Sequence, residues 1–400
     1  MKKSFNLLIL GLVIGGLVLG IAGYLVSQAA PEPMARKIIV FKSGVLNEPA
    51  REALVKKFGG VKTKDLTLID GKAVLLSPKS EAALAREAGV LRIDDDVVVE
   101  ALFKEGSVKV SRVSLQPAEV LPWGIDRIDA EKAWATTTAD PIKVAIIDTG
   151  IDVKHPDLID NLKGGVSTIS YTTSYNDDNG HGTHVAGIVG AIDNEIGVIG
   201  VGPKIDLYAV KVLDRRGSGY LSDVIEGLDW AIANGMQVVN MSLGTSADVL
   251  SFREAVQRVN AKGIVQVAAA GNTGGAVIYP AAYSEVIAVS ATDKTDTIAS
   301  WSSRGPEIDL AAPGVSIYST YKGTGYATLS GTSMAAPHVT GSAALVLNTP
   351  VGSYDANGNN KWDPDEVQTK LQVTATDLGD ARFDNLYGWG LVNAYNAIQP

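Results

Sequence analysis

The chain has no cysteine. Disulfides, thiolate nucleophiles and cysteine-ligated zinc are therefore excluded, and an exported form would need some other means of rigidity. Basic charge is also short. Against 44 acidic residues stand 35 lysines and arginines, a formal charge of −9 and a pI near 5.1. That balance argues against a nucleic-acid partner, whose binder would carry a basic face. Aromatic residues make up only 6% of the sequence. What is abundant is glycine, 42 of 400 residues in a chain that is 46% hydrophobic. Small residues at that frequency imply tight turns and close helix–sheet packing. The length suits one large domain or two unequal ones.

The chain opens MKKSFNLLILGLVIGGLVLGIAGYLVSQAAPEP. A positive start, an uncharged apolar run from Phe5 to Val26 and a small-residue exit describe a secretory signal over residues 1–30, with cleavage expected after Ala29 or Ala30. The run is also long enough for an uncleaved membrane anchor. A small unit follows over residues 34–102. KIIVF reads as a strand, NEPAREALVKKF as an amphipathic helix, and DLTLIDGKAVLLS as a hairpin around Asp-Gly. PKSEAALAREAG reads as a second helix and LRIDDDVVVEAL as one last strand, so the order β-α-β-β-α-β is ferredoxin-like. Residues 103–120 are irregular and polar, as a linker would be.

From residue 121 to 400, strand-like runs almost free of polar residues (KVAIID, LYAVKVL, QVVNMSL, IVQVAAA, VIAVSA) alternate with helices closed by glycine. The fold class is α/β: a three-layer domain around a mostly parallel sheet buried on both faces, preceded by the small α+β unit. Function in such sheets gathers at the carboxyl ends of the strands. There the sequence places Asp148 (IIDTGID), His181 (NGHGTHVAG), Asn272 (AAAGN) and Ser333 (SGTSMAAP). A serine is a poor nucleophile until an imidazole takes its proton, and the imidazole works best held by a carboxylate. An amide side chain and a backbone N–H at a helix start would stabilise the oxyanion. The small residues around Ser333 let a peptide carbonyl approach.

These four motifs resemble those of the subtilisin-like serine proteases, in that family's chain order Asp, His, Ser. The likeness runs from about Leu121 to the C-terminus and is nearest to the propeptide-bearing secreted subtilisins of thermophilic archaea. It implies a secreted serine endopeptidase of broad specificity, made as an autoprocessed zymogen and acting through an acyl-enzyme. Asp148, His181 and Ser333 would be its triad and Asn272 the oxyanion donor. Residues 34–102 would be a propeptide that is both intramolecular chaperone and inhibitor, and 103–120 a linker and mature N-terminal extension. Self-cleavage is expected between Glu100 and Gly106, with Leu102 as the P1 residue. Gly217, Ser218 and Gly219, with Ser242, Leu243 and Gly244, would pair with an extended substrate as added strands. Ile278, where relatives often carry glycine, would make the S1 pocket shallow. His155, His184 and His338 are expected to be packing or structural residues, and the chain a monomer. The competing reading is a catalytically silent binding module of the same fold.

The resemblance also implies a calcium loop formed by Glu119, Asp157, Asn194 and the carbonyls of Ile192, Ile196 and Val198. A weaker cation site would lie near Ala281, Tyr283, Val286 and Asp309. Independently of the family, YDANGNNKWDPDEV spaces Asp355, Asn357, Asn359, Lys361, Asp363 and Glu366 as in an EF-hand loop between two helices, with Asn360 in place of the usual glycine.

Overall fold

The computed structural model describes residues 33–103, 109–111 and 116–400, the short segment 109–111 by its backbone alone. The N-terminal run read as signal or anchor lies outside the described residues, as does part of the 103–120 linker. Among the described residues no helix is long and apolar enough to cross a membrane.

The small unit contains β1 (Ala35–Phe41), α1 (Glu48–Lys57), β2 (Val61–Leu66), β3 (Gly71–Leu76), α2 (Pro78–Leu84) and β4 (Val90–Asp95). Its sheet order β2-β3-β1-β4, antiparallel throughout, is the expected ferredoxin-like one. Asn47 and Ser77 cap α1 and α2 with their side chains, and a proline follows in the first turn of each. One sheet face packs Phe41, Leu76 and Leu84 into a core of its own. The other lays Ile38, Val40 and Leu66 onto the large domain.

One expectation is corrected here. LRIDDDVVVEAL is two strands, β4 and then β5 (Val98–Ala101), because Asp96 turns inward between them. β5 leaves the small sheet altogether. It pairs antiparallel with two edges of the large domain, β10 (Ser218–Tyr220) and β12 (Leu243–Gly244).

In chain order the large domain adds β6 (Lys109–Ser111), α3 (Trp123–Arg127), α4 (Ala130–Ala133), β7 (Lys143–Asp148), β8 (Leu162–Ser167), α5 (His181–Gly190) and β9 (Asp206–Lys211). Then follow β10, α6 (Leu221–Ala233), β11 (Val238–Met241), β12, α7 (Leu250–Asn260), β13 (Val265–Ala269), β14 (Ile287–Thr292) and β15 (Leu310–Pro313). It closes with β16 (Ile317–Tyr321), β17 (Gly325–Leu329), α8 (Thr332–Leu347), α9 (Pro364–Val373) and α10 (Ala394–Ala397). Seven strands form the central sheet in the order β15-β14-β13-β11-β7-β9-β8, every pair parallel. Helices α5 and α8 share the core on one face, α6 and α7 that on the other. The inner strands are mostly apolar because both their faces are covered by helices. β8, LKGGVS, has no such signature; it is the edge strand, half-exposed and with a register shift at its glycines.

Candidate active site

Asp148 is the last residue of β7, and His181 the first of α5. The imidazole Nδ1 lies 2.8 and 2.9 Å from the two carboxylate oxygens, both groups fully buried. Thr149 N–H also donates to Asp148 Oδ1 at 2.7 Å, fixing the carboxylate against its own strand end. The carboxylate thus holds one ring nitrogen and leaves Nε2 for chemistry, and Nε2 has no hydrogen-bond partner.

Ser333 is the second residue of α8. Its hydroxyl donates to the Ser242 carbonyl at 2.9 Å, while the Ser242 hydroxyl donates to the Ser333 carbonyl at 2.9 Å. The expected hydroxyl–imidazole bond is therefore not formed in this structure; the Ser333 hydroxyl donates to the Ser242 carbonyl instead. Asn272, three residues beyond β13, accepts at Oδ1 from Thr332 N–H and the Thr332 hydroxyl, both at 2.9 Å. That pins the amide so that its Nδ2, buried and unpartnered, faces away from Thr332.

The chain itself occupies this place. Ala101 N–H donates to the Gly217 carbonyl at 2.9 Å and Leu102 N–H to the Ser242 carbonyl at 3.2 Å. Within β5, Glu100 lies opposite both Ser218 and Gly244, and Ala101 opposite Leu243. The Leu102 carbonyl accepts from Ser333 N–H at 3.4 Å. A Cβ on Gly331 would stand 2.5 Å from that carbonyl oxygen and 3.3 Å from Asn272 Nδ2, so only glycine leaves room. The Phe103 ring lies over the His181 ring, centroids 5.4 Å apart. The Leu102 carbonyl thus lies on Ser333 N–H, with the unpartnered Asn272 Nδ2 across Gly331 and the carboxylate-held His181 beneath the next side chain.

A family model for the subtilases (peptidase S8) matches residues 139–390. The chain belongs to the subtilase family. It is 47% identical over 310 residues to a thermostable alkaline protease of Halalkalibacterium halodurans, covering 77% of this chain and 80% of the relative. Over 284 residues it is 47% identical to subtilisin Savinase of Lederbergia lenta, 70% of this chain and 100% of the relative. Over 384 residues it is 38% identical to subtilisin E of Bacillus subtilis strain 168, 93% of each. This subtilase is a serine endopeptidase.

The other histidines are structural. His184 Nε2 sits 3.1 Å from the carbonyls of Ile317 and Ala327, and burial pushes its pKa down to about 3. His338, bonded to the Met334 carbonyl, is pushed to about 4, and His155 sits 2.8 Å from the Gly325 carbonyl. Ile278 packs against Gly244 and Gly271, where added Cβ atoms would come within 2.7 and 3.4 Å of it.

The loop expected to hold calcium is gathered. Asp157 is fully buried; Oδ2 accepts from Val198 N–H and the Tyr326 hydroxyl at 3.0 Å each, while Oδ1 has no partner. Burial, aided by Glu119, pushes its pKa up to about 6. Glu119 accepts from Asn194 N–H at 2.9 Å and is also raised, by burial first and then by Asp193. Ile192 N–H donates to the Asp157 carbonyl, Ile196 N–H to Asn194 Oδ1, and Val120 bridges to Val198. An orphaned buried carboxylate oxygen beside a second raised carboxylate, in an all-oxygen setting, fits a hard cation.

At the other two expected metal positions the side chains make hydrogen bonds within the chain. Both oxygens of Asp309 are taken, by Ala288 N–H and the amides of Gln368 and Gln372. In the 355–366 loop, Asp355 accepts from the N–H groups of Asn359 and Asn360, and Asp363 from the amides of Asn357 and Asn359. Lys361 N–H donates to Asn359 Oδ1, and Glu366 accepts from Ala356 N–H and Asp363 N–H. A 3₁₀ turn, Gly352–Tyr354, precedes this loop where an α-helix was expected. Asn360 does take the left-handed conformation, φ 58°. Among the described residues the one trio of carboxylates within reach of a common ion is Glu48, Glu52 and Asp65. Those three are exposed and paired with Lys62 and Lys72, an ion-pair cluster.

Sequence reasoning missed the residues that dock the small unit. Neither α6 nor α7 has a side-chain N-cap for its first-turn N–H groups, although Asp223 of α6 accepts from Tyr220 N–H at 3.0 Å. Asp96 supplies one for α6, accepting from Ser222 N–H and its hydroxyl at 2.8 and 2.9 Å, and pairs with Arg36. Asp94 does the same at Ser251 for α7 and pairs with Arg92. Arg36 also lies 3.7 Å over the Tyr220 ring. The signal was present: three aspartates in a row break an otherwise apolar strand pattern.

Proposed function

We propose that this subtilase is exported as a zymogen, is stabilised by calcium, and cuts its own Leu102–Phe103 bond before acting on other proteins. The observation that carries this reading is the Leu102 carbonyl lying on Ser333 N–H with β5 paired on both sides. The step requires the Ser333 hydroxyl to turn from the Ser242 carbonyl to the unpartnered His181 Nε2. The oxygen then attacks the Leu102 carbonyl carbon as His181 takes its proton. Asp148 stabilises the imidazolium, while Ser333 N–H and Asn272 Nδ2 receive the oxyanion. His181 passes its proton to the Phe103 nitrogen as the bond breaks, leaving the acyl group on Ser333 until water hydrolyses it.

In this reading residues 34–102 are chaperone and inhibitor. They cap two helices of the catalytic domain and leave their last strand in its groove. Substrates would take the same path, pairing by main chain with residues 217–219 and 242–244, which demands little of their sequence. Calcium would be held by Asp157, Glu119, Asn194 and the carbonyls of Ile192, Ile196 and Val198, clamping a surface loop in a chain without disulfides. Export rests on the signal-like N-terminus. A serine-directed phosphonate should label the mature enzyme at Ser333, and His181→Ala should abolish labelling. Labelling that survives the histidine substitution would refute the assignment of the base.

A further inference from the structure

Helix α5, which carries His181, cannot cap itself. Its N-cap is Gly180, at φ 114°, with no side chain to offer the first-turn N–H groups. Nothing larger fits, since a Cβ there would meet the Tyr321 ring at 2.3 Å. The next turn is as tight: a Cβ on Gly182 would stand 2.2 Å from the Gly150 carbonyl oxygen and 3.1 Å from Asp148 Oδ1. The helix start therefore lies directly on the loop after β7, where the Thr183 hydroxyl accepts from Asp152 N–H at 3.0 Å and His181 meets Asp148, but its N-cap has no side chain to close the first turn.

Asp177 takes that role from outside the helix. It is 4% exposed. Oδ1 accepts from Asn179 N–H and Gly180 N–H, both at 2.8 Å, and from the Thr149 hydroxyl at 2.9 Å. Oδ2 accepts from Thr183 N–H at 3.0 Å and the Thr183 hydroxyl at 2.6 Å. The Thr149 hydroxyl in turn accepts from Gly182 N–H at 2.9 Å, and Thr149 N–H holds Asp148. The backbone repeats the link, with Asp177 N–H on the Ile151 carbonyl. Burial raises the Asp177 carboxyl, and the donors from Thr183, Gly180 and Asn179 oppose that.

We infer that Asp177 is a positioning residue for the proton-transfer pair: it ties the first turn of α5 to Thr149, and so sets the distance and angle between His181 and Asp148. The inference rests on the triad reading above. A shift of about 1 Å in a reacting group costs on the order of a hundred-fold in rate. Asparagine at position 177 keeps the shape but turns one N–H₂ onto donors whichever way it sits, since each oxygen now faces a backbone N–H.

The test compares Asp177→Asn and Thr149→Val with the parent and with Ser333→Ala. Each mature enzyme is counted by active-site titration. In Asp177→Asn, kcat should fall about ten- to a hundred-fold with KM within about two-fold. The downfield proton resonance of the His181 Nδ1–H should move or broaden. Thr149→Val, which leaves the Asp177 bonds to Asn179, Gly180 and Thr183 but removes the acceptor of Gly182 N–H, should give part of the same kcat loss, and the double variant should lose less than the product of the two. Unchanged kcat and an unmoved resonance in Asp177→Asn would overturn the inference, as would fully multiplicative effects. Should that variant fail to fold, Thr149→Val decides by the same two readouts. Activity persisting in Ser333→Ala would instead refute the triad reading, whatever position 177 does.

Discussion

Asp157 turns the calcium reading into a result that runs against ordinary expectation. Its carboxyl is raised from 3.8 to about 6 because burial disfavours the ion and Glu119 lies nearby. A raised acid binds its proton more tightly folded than unfolded. Calcium-free stability from this group is therefore highest below about pH 4, falls as pH rises towards about 6, and is flat above. At about 1.4 kcal/mol per unit, the ionised group costs the calcium-free fold about 2–3 kcal/mol at neutral pH. Asp157→Asn removes that cost. Its oxygen can keep the Val198 and Tyr326 donors, and its N–H₂ would replace the orphaned Oδ1 on the Glu119 side.

In a Ser333→Ala background, which prevents self-digestion, the substitution should raise the calcium-free melting temperature at pH 8 by about 3–4 °C. It should also remove most of the calcium response that the parent shows. The parent's own calcium gain should grow between about pH 4 and 6 and level off above, because a cation replaces the proton. Differential scanning calorimetry at pH 4.5, 6 and 8, with calcium or chelator, reads all of this. A variant that is less stable than the parent without calcium, or that responds to calcium as the parent does, would refute the reasoning.

Other expectations follow from single contacts. Asn272→Ala should cost about a hundred- to a thousand-fold in kcat with little change in KM, a magnitude known from the family's type enzyme; pre-steady-state assay of a chromogenic peptide checks it. Ile278→Gly should raise kcat/KM for Phe at P1 relative to Ala, read as a ratio across a P1 peptide series, because the side chain that fills the space beside Gly244 is gone. Asp96→Ala should weaken retention of the cleaved small unit by about ten-fold, the worth of one helix cap with its ion pair, seen as faster onset of activity after self-cleavage.

The fold was legible where periodicity is strong. Five of the buried strands read directly from runs such as KVAIID and VIAVSA, and the small unit's order from its hairpin and caps. β8 did not read, because an edge strand built of LKGGVS has no apolar signature. The proposed catalytic residues read because each interrupts a buried strand end or helix start with a polar group that packing alone does not explain. What the motifs do not carry is orientation: Ser333 is held by the Ser242 carbonyl, a contact between residues 91 positions apart. Asp94, Asp96 and Asp177 went unread for a related reason. A capping carboxylate is recognised by the helix it caps, and here the helix lies elsewhere in sequence or the cap sits outside the usual position. The EF-hand spacing of residues 355–366 reads as a metal loop, and the same Asn and Asp side chains close on backbone N–H groups of the loop, a contact the spacing alone does not distinguish from cation binding.

The central claim is that one point in the fold gathers Asp148, His181, Asn272 and Ser333 around the Leu102 carbonyl. Mass spectrometry of refolded precursor tests it most directly. Wild type should yield a fragment ending at Leu102 and a partner beginning at Phe103, and Ser333→Ala should remain uncut under the same conditions. Self-cleavage of the alanine variant at that bond would contradict the account, as would wild-type cleavage only at a distant one.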